Sequence, residues 1–97
     1  MMTIQSKTSI ESDDGARIVK RLCNHWKHKF EITEQDGNFF IPFPEANVNL
    51  EATNQQILIE INTEQTDKLE HYQNVVINHL NRMAQQEFSV EWQISQI

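Results

Sequence analysis

Apolar residues recur along this chain at two periods, and each change of period marks an element. Between Gly15 and about Lys29, residues Ile18, Val19, Leu22, Cys23, Trp26 and Phe30 return at helical spacing and project onto one stripe. Lys20 and Lys27 fall opposite that stripe; Arg21, His25 and His28 share one flank, with Lys29 nearer the apolar edge. The preceding "SDDG" predicts an N-cap at Asp13 or Asp14, where a carboxylate suits the positive end of the helix. A second helix is predicted to open at Thr63 or Thr66, with Glu64 and Asp67 in or near its first turn. Leu69, Tyr72, Val76, Leu80 and Met83 follow its seam, with Ile77 and Ala84 beside it, so that it runs for about five turns or more.

Elsewhere the period is two. Ala46, Val48, Leu50 and Ala52 alternate with Asn47, Asn49 and Glu51, and Ile57, Ile59 and Ile61 alternate with Leu58, Glu60 and Asn62. Both segments read as half-buried antiparallel strands joined by a tight turn near Asn54. Asp36-Gly37, between Ile32 and the Phe39, Phe40, Ile41 run, predicts a two-residue hairpin because both turn positions favour φ > 0. Pro42 and Pro44 end the second strand of that hairpin or confine it to an edge. Lys7 to Ser12 reads as a short strand, and Phe88, Val90, Trp92 and Ile94, alternating with Ser89, Glu91 and Gln93, read as a terminal one. The predicted order is β-α-β-β-β-β-α-β: an α+β fold with a mainly antiparallel, curved sheet and two helices on one face.

Composition narrows the class. A chain of 97 residues supports one domain, 1–97, with one modest core; residues 1–6 are expected to fray. Hydrophobic residues at 38% and charged ones at 23%, with only two glycines and two prolines, exclude extended disorder. The opening "MMTIQSKTSI" lacks the apolar run of a signal peptide, and no window approaches the roughly twenty apolar residues of a membrane span. The expectation is a cytoplasmic protein with no membrane partner. Cys23, the lone cysteine, cannot form an internal disulfide.

Charge changes the picture more. The formal net charge is −6, yet residues 15–30 hold Arg17, Lys20, Arg21, Lys27 and Lys29 with no acid, a local +5 that leaves −11 on the remainder. That basic helix has the charge to neutralise phosphates, but the acidic whole repels nucleic acid at long range and Trp26 points to the core; no nucleic-acid partner is expected.

His25 and His28 stand one short turn apart, as paired metal ligands do, and His79 or Cys23 would have to complete the set. Five surrounding cations oppose a divalent ion at that place. The plainer expectations are that His25 bonds a carbonyl or an acid on a facing strand and that His28 and His71 are solvated. Cys23 sits within the apolar stripe, away from His25, so a nucleophilic role is not expected. The two glycines serve a cap and a turn, which leaves no phosphate cradle. On the second helix His79 and Arg82 share a flank; Arg82 has Glu87, Glu91 or an anionic ligand as its natural partners. If the helices lie side by side, Arg82, His79, His25 and Lys29 converge on one groove beside Trp92, and a cationic pocket of that kind suits a carboxylate.

The combination "RLCNHWKHK", "HLNRMAQQE" and "VEW" resembles a bacterial family known as domain of unknown function 2218, whose members run Leu-Cys-x-His-Phe-x-His-Lys, then His-Leu-x-Arg-Phe, then a closing Trp. The resemblance extends from about Ser9 to Trp92. Its motif positions fall on Leu22, Cys23, His25, His28, Lys29, His79, Leu80, Arg82 and Trp92, with Trp26 and Met83 in place of Phe. It implies no defined activity. Some relatives are joined to siderophore-interacting flavoproteins, which implies a link to iron handling, although this chain has no flavin-binding domain. The reading is a non-enzymatic binding module with no cofactor, whose ligand groups are His25, His28, Lys29, His79, Arg82 and Trp92. Its alternatives are a transition-metal protein using His25, His28 and His79, and a small enzyme with histidine as acid or base. A homodimer through Tyr72, Trp92 and the sheet edges is compatible with the sequence.

Overall fold

A computed structural model describes residues 3–96 and carries the predicted element order. Strand β1 (Ile4–Glu11) leads to helix α1 (Gly15–Trp26), the hairpin β2 (Thr33–Gln35) and β3 (Asn38–Phe43), then β4 (Ala46–Ala52) and β5 (Gln56–Thr63). Helix α2 (Thr66–Ala84) and strand β6 (Gln93–Gln96) complete it. The strands form one antiparallel sheet in the order β2-β3-β4-β5-β1-β6.

Alternation along the strands decides which face the helices cover. Ile10 of β1, Ile41 and Phe43 of β3, Val48 and Leu50 of β4, and Ile57, Ile59 and Ile61 of β5 are buried on that face. They meet Ile18, Val19, Leu22, Cys23 and Trp26 of α1 and Leu69, Tyr72, Val76 and Leu80 of α2. Burying side chains of this size contributes roughly 1.5–3 kcal/mol each, which is why the apolar periods prevail over local propensity. The layer holds one polar pair: Gln73 Nε2 donates to Ser6 Oγ at 2.8 Å, both side chains being buried.

Several boundaries differ from expectation for local reasons. Of residues 1–6, expected to fray, Met1 and Met2 lie outside the described residues, and Ile4 to Ser6 lie in β1 and pair with both β5 and β6. Asp14 is the N-cap of α1, but its carboxylate pairs with Arg17 and bonds no helix amide. Helix α1 ends at Trp26, although the amides of Lys29 and Phe30 both donate to the Trp26 carbonyl and prolong the turn. Phe88, Val90 and Trp92 pack against the core as the alternation predicts, but the β6 ladder begins only at Gln93. Thr8 Oγ1 donates to the Glu91 carbonyl at 2.9 Å, a side-chain bond just before the ladder starts. At the hairpin, Asp36 and Gly37 have φ of 53° and 82°, the positive pair that the turn requires. Pro42 is tolerated in β3 because β2 pairs only with Asn38 to Phe40, so β3 is locally an edge at Pro42.

The helices run antiparallel. Gly15 abuts Ile57 and Ala52 at one end of the sheet, whereas Trp26 packs on Phe43 at the other. Helix α2 starts just after Thr63, at the Phe43 end, and Tyr72 packs on Phe43 there. Glu45, in the turn between β3 and β4, ties that end together: its carbonyl accepts from Thr63 Oγ1 at 2.6 Å and its carboxylate from Tyr72 Oη at 3.1 Å. Burial, and then the bond to Glu45, push the Tyr72 hydroxyl above its ordinary pKa.

A Cβ added at Gly15 would lie 2.8 Å from Ile57 Cγ1, inside normal contact and against a buried, β-branched side chain. Helix propensity alone favours alanine there by up to roughly 1 kcal/mol, while overpacking costs about 1–3 kcal/mol. Gly15→Ala is therefore expected to lower the urea midpoint. An unchanged or raised midpoint would mean that Ile57 yields without cost.

Candidate functional site

The basic flank of α1 and the polar flank of α2 meet between the helices. His25, at the exposed edge of α1, has its ring centroid 5.7 Å from that of His79 on α2. The His79 ring also lies 5.0 Å from buried Trp26. Trp26 in turn stands edge-on to Phe43 at 5.1 Å, and Phe43 meets Phe30 at 4.7 Å. The histidine pair thus rests on an aromatic column reaching down to the sheet, a geometry that fixes ring positions more firmly than solvent contact does.

His25 makes no hydrogen bond to a facing strand, contrary to expectation, because its ring faces the other helix. The bonded histidine is His79: Nδ1 lies 2.7 Å from the Val75 carbonyl oxygen of its own helix. A carbonyl only accepts, so Nδ1 carries the proton and donates, and Nε2 is the nitrogen left for another partner.

The antiparallel course of the helices decides which cations flank this pair. One turn from His25 toward the start of α1 is Arg21, and one turn from His79 toward the end of α2 is Arg82, so both arginines stand on the same side of the pair. Lys29, with His28 beside it, lies in the turn beyond Trp26, toward the other side of the pair. The expected group is therefore divided: His25 and His79 come together, Arg82 is on one side, Lys29 and His28 are on the other. Trp92 is half-buried ahead of β6 at the far edge of the sheet and makes no ring contact with either histidine. Arg21 shares the His25 flank in the sequence, and its i−4 spacing was the available signal.

Electrostatics single out the same region. Among the described residues the ion pairs are Lys7 with Glu60, Arg17 with Asp14 and Lys68 with Glu45. Lys20, Arg21, Lys27, Lys29 and Arg82 have no acidic partner, and four of these five belong to α1 and the turn that prolongs it. Arg82 in particular pairs with neither Glu87 nor Glu91. Among the described residues no group of three or more His, Cys, Asp or Glu side chains is placed to hold a metal ion, so His25, His28 and His79 are not gathered into a site. Tyr72, considered for a dimer face, is buried against Phe43.

Residues 7–93 match the bacterial family described as "Uncharacterized protein conserved in bacteria (DUF2218)". The chain belongs to that family. No curated protein matches. Among solved structures, the NMR structure of PA4090 from Pseudomonas aeruginosa is 40% identical, with a TM-score of 0.79 over 93% of this chain and 95% of that one.

Cys23 stands in the family's first motif but behaves as a core residue: burial, and secondarily the Glu34 carboxylate, push its thiol up to about 12. Because the folded pKa is raised, the thiol's contribution to stability is complete below the unfolded value near 9 and is lost as pH rises toward 12. A thiol reagent at pH 8 is expected to leave native Cys23 unmodified and to label it rapidly in urea. Rapid labelling of native protein would overturn this placement.

Proposed function

We propose that this family member is a non-enzymatic module binding a small anionic ligand between α1 and α2. One observation supports this above others: His25 and His79, from different helices, stand 5.7 Å apart beside surface cations that have no acidic partner. Arg82 and Arg21 offer planar, permanently charged forks suited to a carboxylate, and His79 contributes Nε2. Protonated at Nε2, His79 donates to the anion; neutral, it accepts from a ligand hydroxyl. Lys29 and His28 extend the positive field to the opposite side.

Cys23 is buried and its thiol protonated, so thiol chemistry finds no support in this region. The ligand class we favour is a polycarboxylate, including an iron-bearing one such as a ferric siderophore or its fragment. The association of some relatives with siderophore-interacting flavoproteins motivates that choice, and a metal bound through the ligand's own oxygens needs no protein donor set.

Amide-resolved NMR titration with citrate, and separately with ferric citrate, tests the reading and distinguishes its two forms. Resonances of Arg21, His25, His79 and Arg82 are expected to move, and His25→Ala combined with Arg82→Ala to weaken binding at least about tenfold, or ~1.4 kcal/mol. Silence of these resonances with both probes, or equal affinity in the double variant, would refute it.

A further inference from the structure

The sheet face turned away from the helices carries a groove of its own, of about 700 Å³, which the inter-helix site does not involve. Ladder register explains its chemistry. One row across the sheet runs Asn49, Glu60, Lys7 and Gln93 on β4, β5, β1 and β6. The next runs Asn38, Glu51, Leu58 and Ser9 on β3, β4, β5 and β1. Glu91, two residues before Gln93, extends the second row beyond Ser9, and Ser89 and Val90 close that side as a wall.

The first row is satisfied within the protein. Glu60 accepts from Gln5 Nε2 at 2.9 Å, from Asn49 Nδ2 at 3.1 Å and from Asn62 Nδ2 at 3.3 Å, and pairs with Lys7 Nζ at 3.6 Å. The second row is not. Glu51 and Glu91 have neither an ion pair nor a side-chain hydrogen bond among the described residues, and between them lies Leu58, 36% exposed and one of the few large apolar side chains left open to water. Three strand spacings separate the two carboxylates, about 14 Å between backbones.

Two unpaired carboxylates with an exposed leucine between them are complementary to a flexible aliphatic chain bearing ammonium groups at its ends. Neither a compact anion nor a planar aromatic ring matches that order of charge, methylene surface and charge. We propose that this groove binds a linear aliphatic polyamine, its terminal ammonium groups at Glu51 and Glu91 and its methylenes along Leu58. A nitrogen within the chain meets Ser9, and Asn38, beside Glu51 on the side away from Leu58, offers its amide oxygen to the terminal ammonium group there.

The test is calorimetry with spermidine at about 0.15 M salt, where non-specific attraction to an acidic protein is largely screened. Binding is expected to fall at least tenfold in Glu51→Gln and in Glu91→Gln, to fall in Leu58→Ser, and to weaken when the probe is shortened to 1,3-diaminopropane. Asp13→Asn with Glu70→Asn, which removes twice the charge of either single carboxylate variant but away from the groove, is expected to leave affinity unchanged. The proposal fails if spermidine does not bind, if the control variant loses as much as the groove variants, or if the short diamine binds equally well. The citrate titration reports on the opposite face, so failure of either reading leaves the other standing.

Discussion

The packing of Trp26 on Phe43 is the constraint on which the rest of this structure depends. Trp26 is the last residue of α1 and Phe43 the last of β3, so their edge-on contact anchors the end of the first helix to one end of the sheet. Phe30 and Tyr72 close on the same Phe43 ring, which brings the turn after α1 and the second helix to a common point. Aromatic residues bury more area per side chain than any other class, and edge-to-face pairs add about 0.5–1.5 kcal/mol beyond that area. With the helices positioned at this end, His79 rests on Trp26 and His25 reaches His79. The polar pair is thus a consequence of core packing and requires no attraction between the imidazoles.

A second property follows from the same layering. The helices carry the cations that have no acidic partner, while the open sheet face holds Glu51, Glu60 and Glu91 with Lys7 as its one nearby cation. A net charge of −6 conceals this division, because it averages two faces separated by the core. Ligands of opposite sign would find complementary fields on opposite sides of one small domain, and within a Debye length of about 8 Å at physiological salt each face acts largely alone. The residues of both faces fall within the span 7–93 that matches the family to which the chain belongs.

Much of this architecture was legible in the residues. Strands β4 and β5 announce themselves by strict alternation, and Asp36-Gly37 by the only backbone geometry that a tight hairpin tolerates. Helix α1 is legible from its apolar stripe, down to the burial of Cys23. Less visible was anything that depends on relations between elements. The direction of α2 relative to α1 decides that Arg21, rather than Lys29, falls on the Arg82 side of the histidine pair, and no local pattern records that direction. The bond from His79 to its own helix was hidden for a different reason: a histidine on a helix flank has a backbone carbonyl four residues back at hand as well as any acid across the interface. Trp92 was misplaced because alternation assigns it to a face of the sheet but not to a strand position, and β6 lies at the edge farthest from β2. The groove over Leu58 was equally silent, since an exposed leucine in an alternating strand looks like an ordinary exception until the register sets Glu51 and Ser9 on either side of it.

Core aromatics, rather than contacts between polar side chains, hold the two histidines together. Carbon-edited NOE spectra of the ligand-free protein test it most directly. Cross-peaks are expected between the His25 and His79 rings and between the Trp26 indole and the His79 ring, with the His25 to His79 peaks lost in a folded Trp26→Leu variant. A wild-type spectrum lacking both sets, or one in which the histidine contact survives Trp26→Leu undiminished, would contradict it.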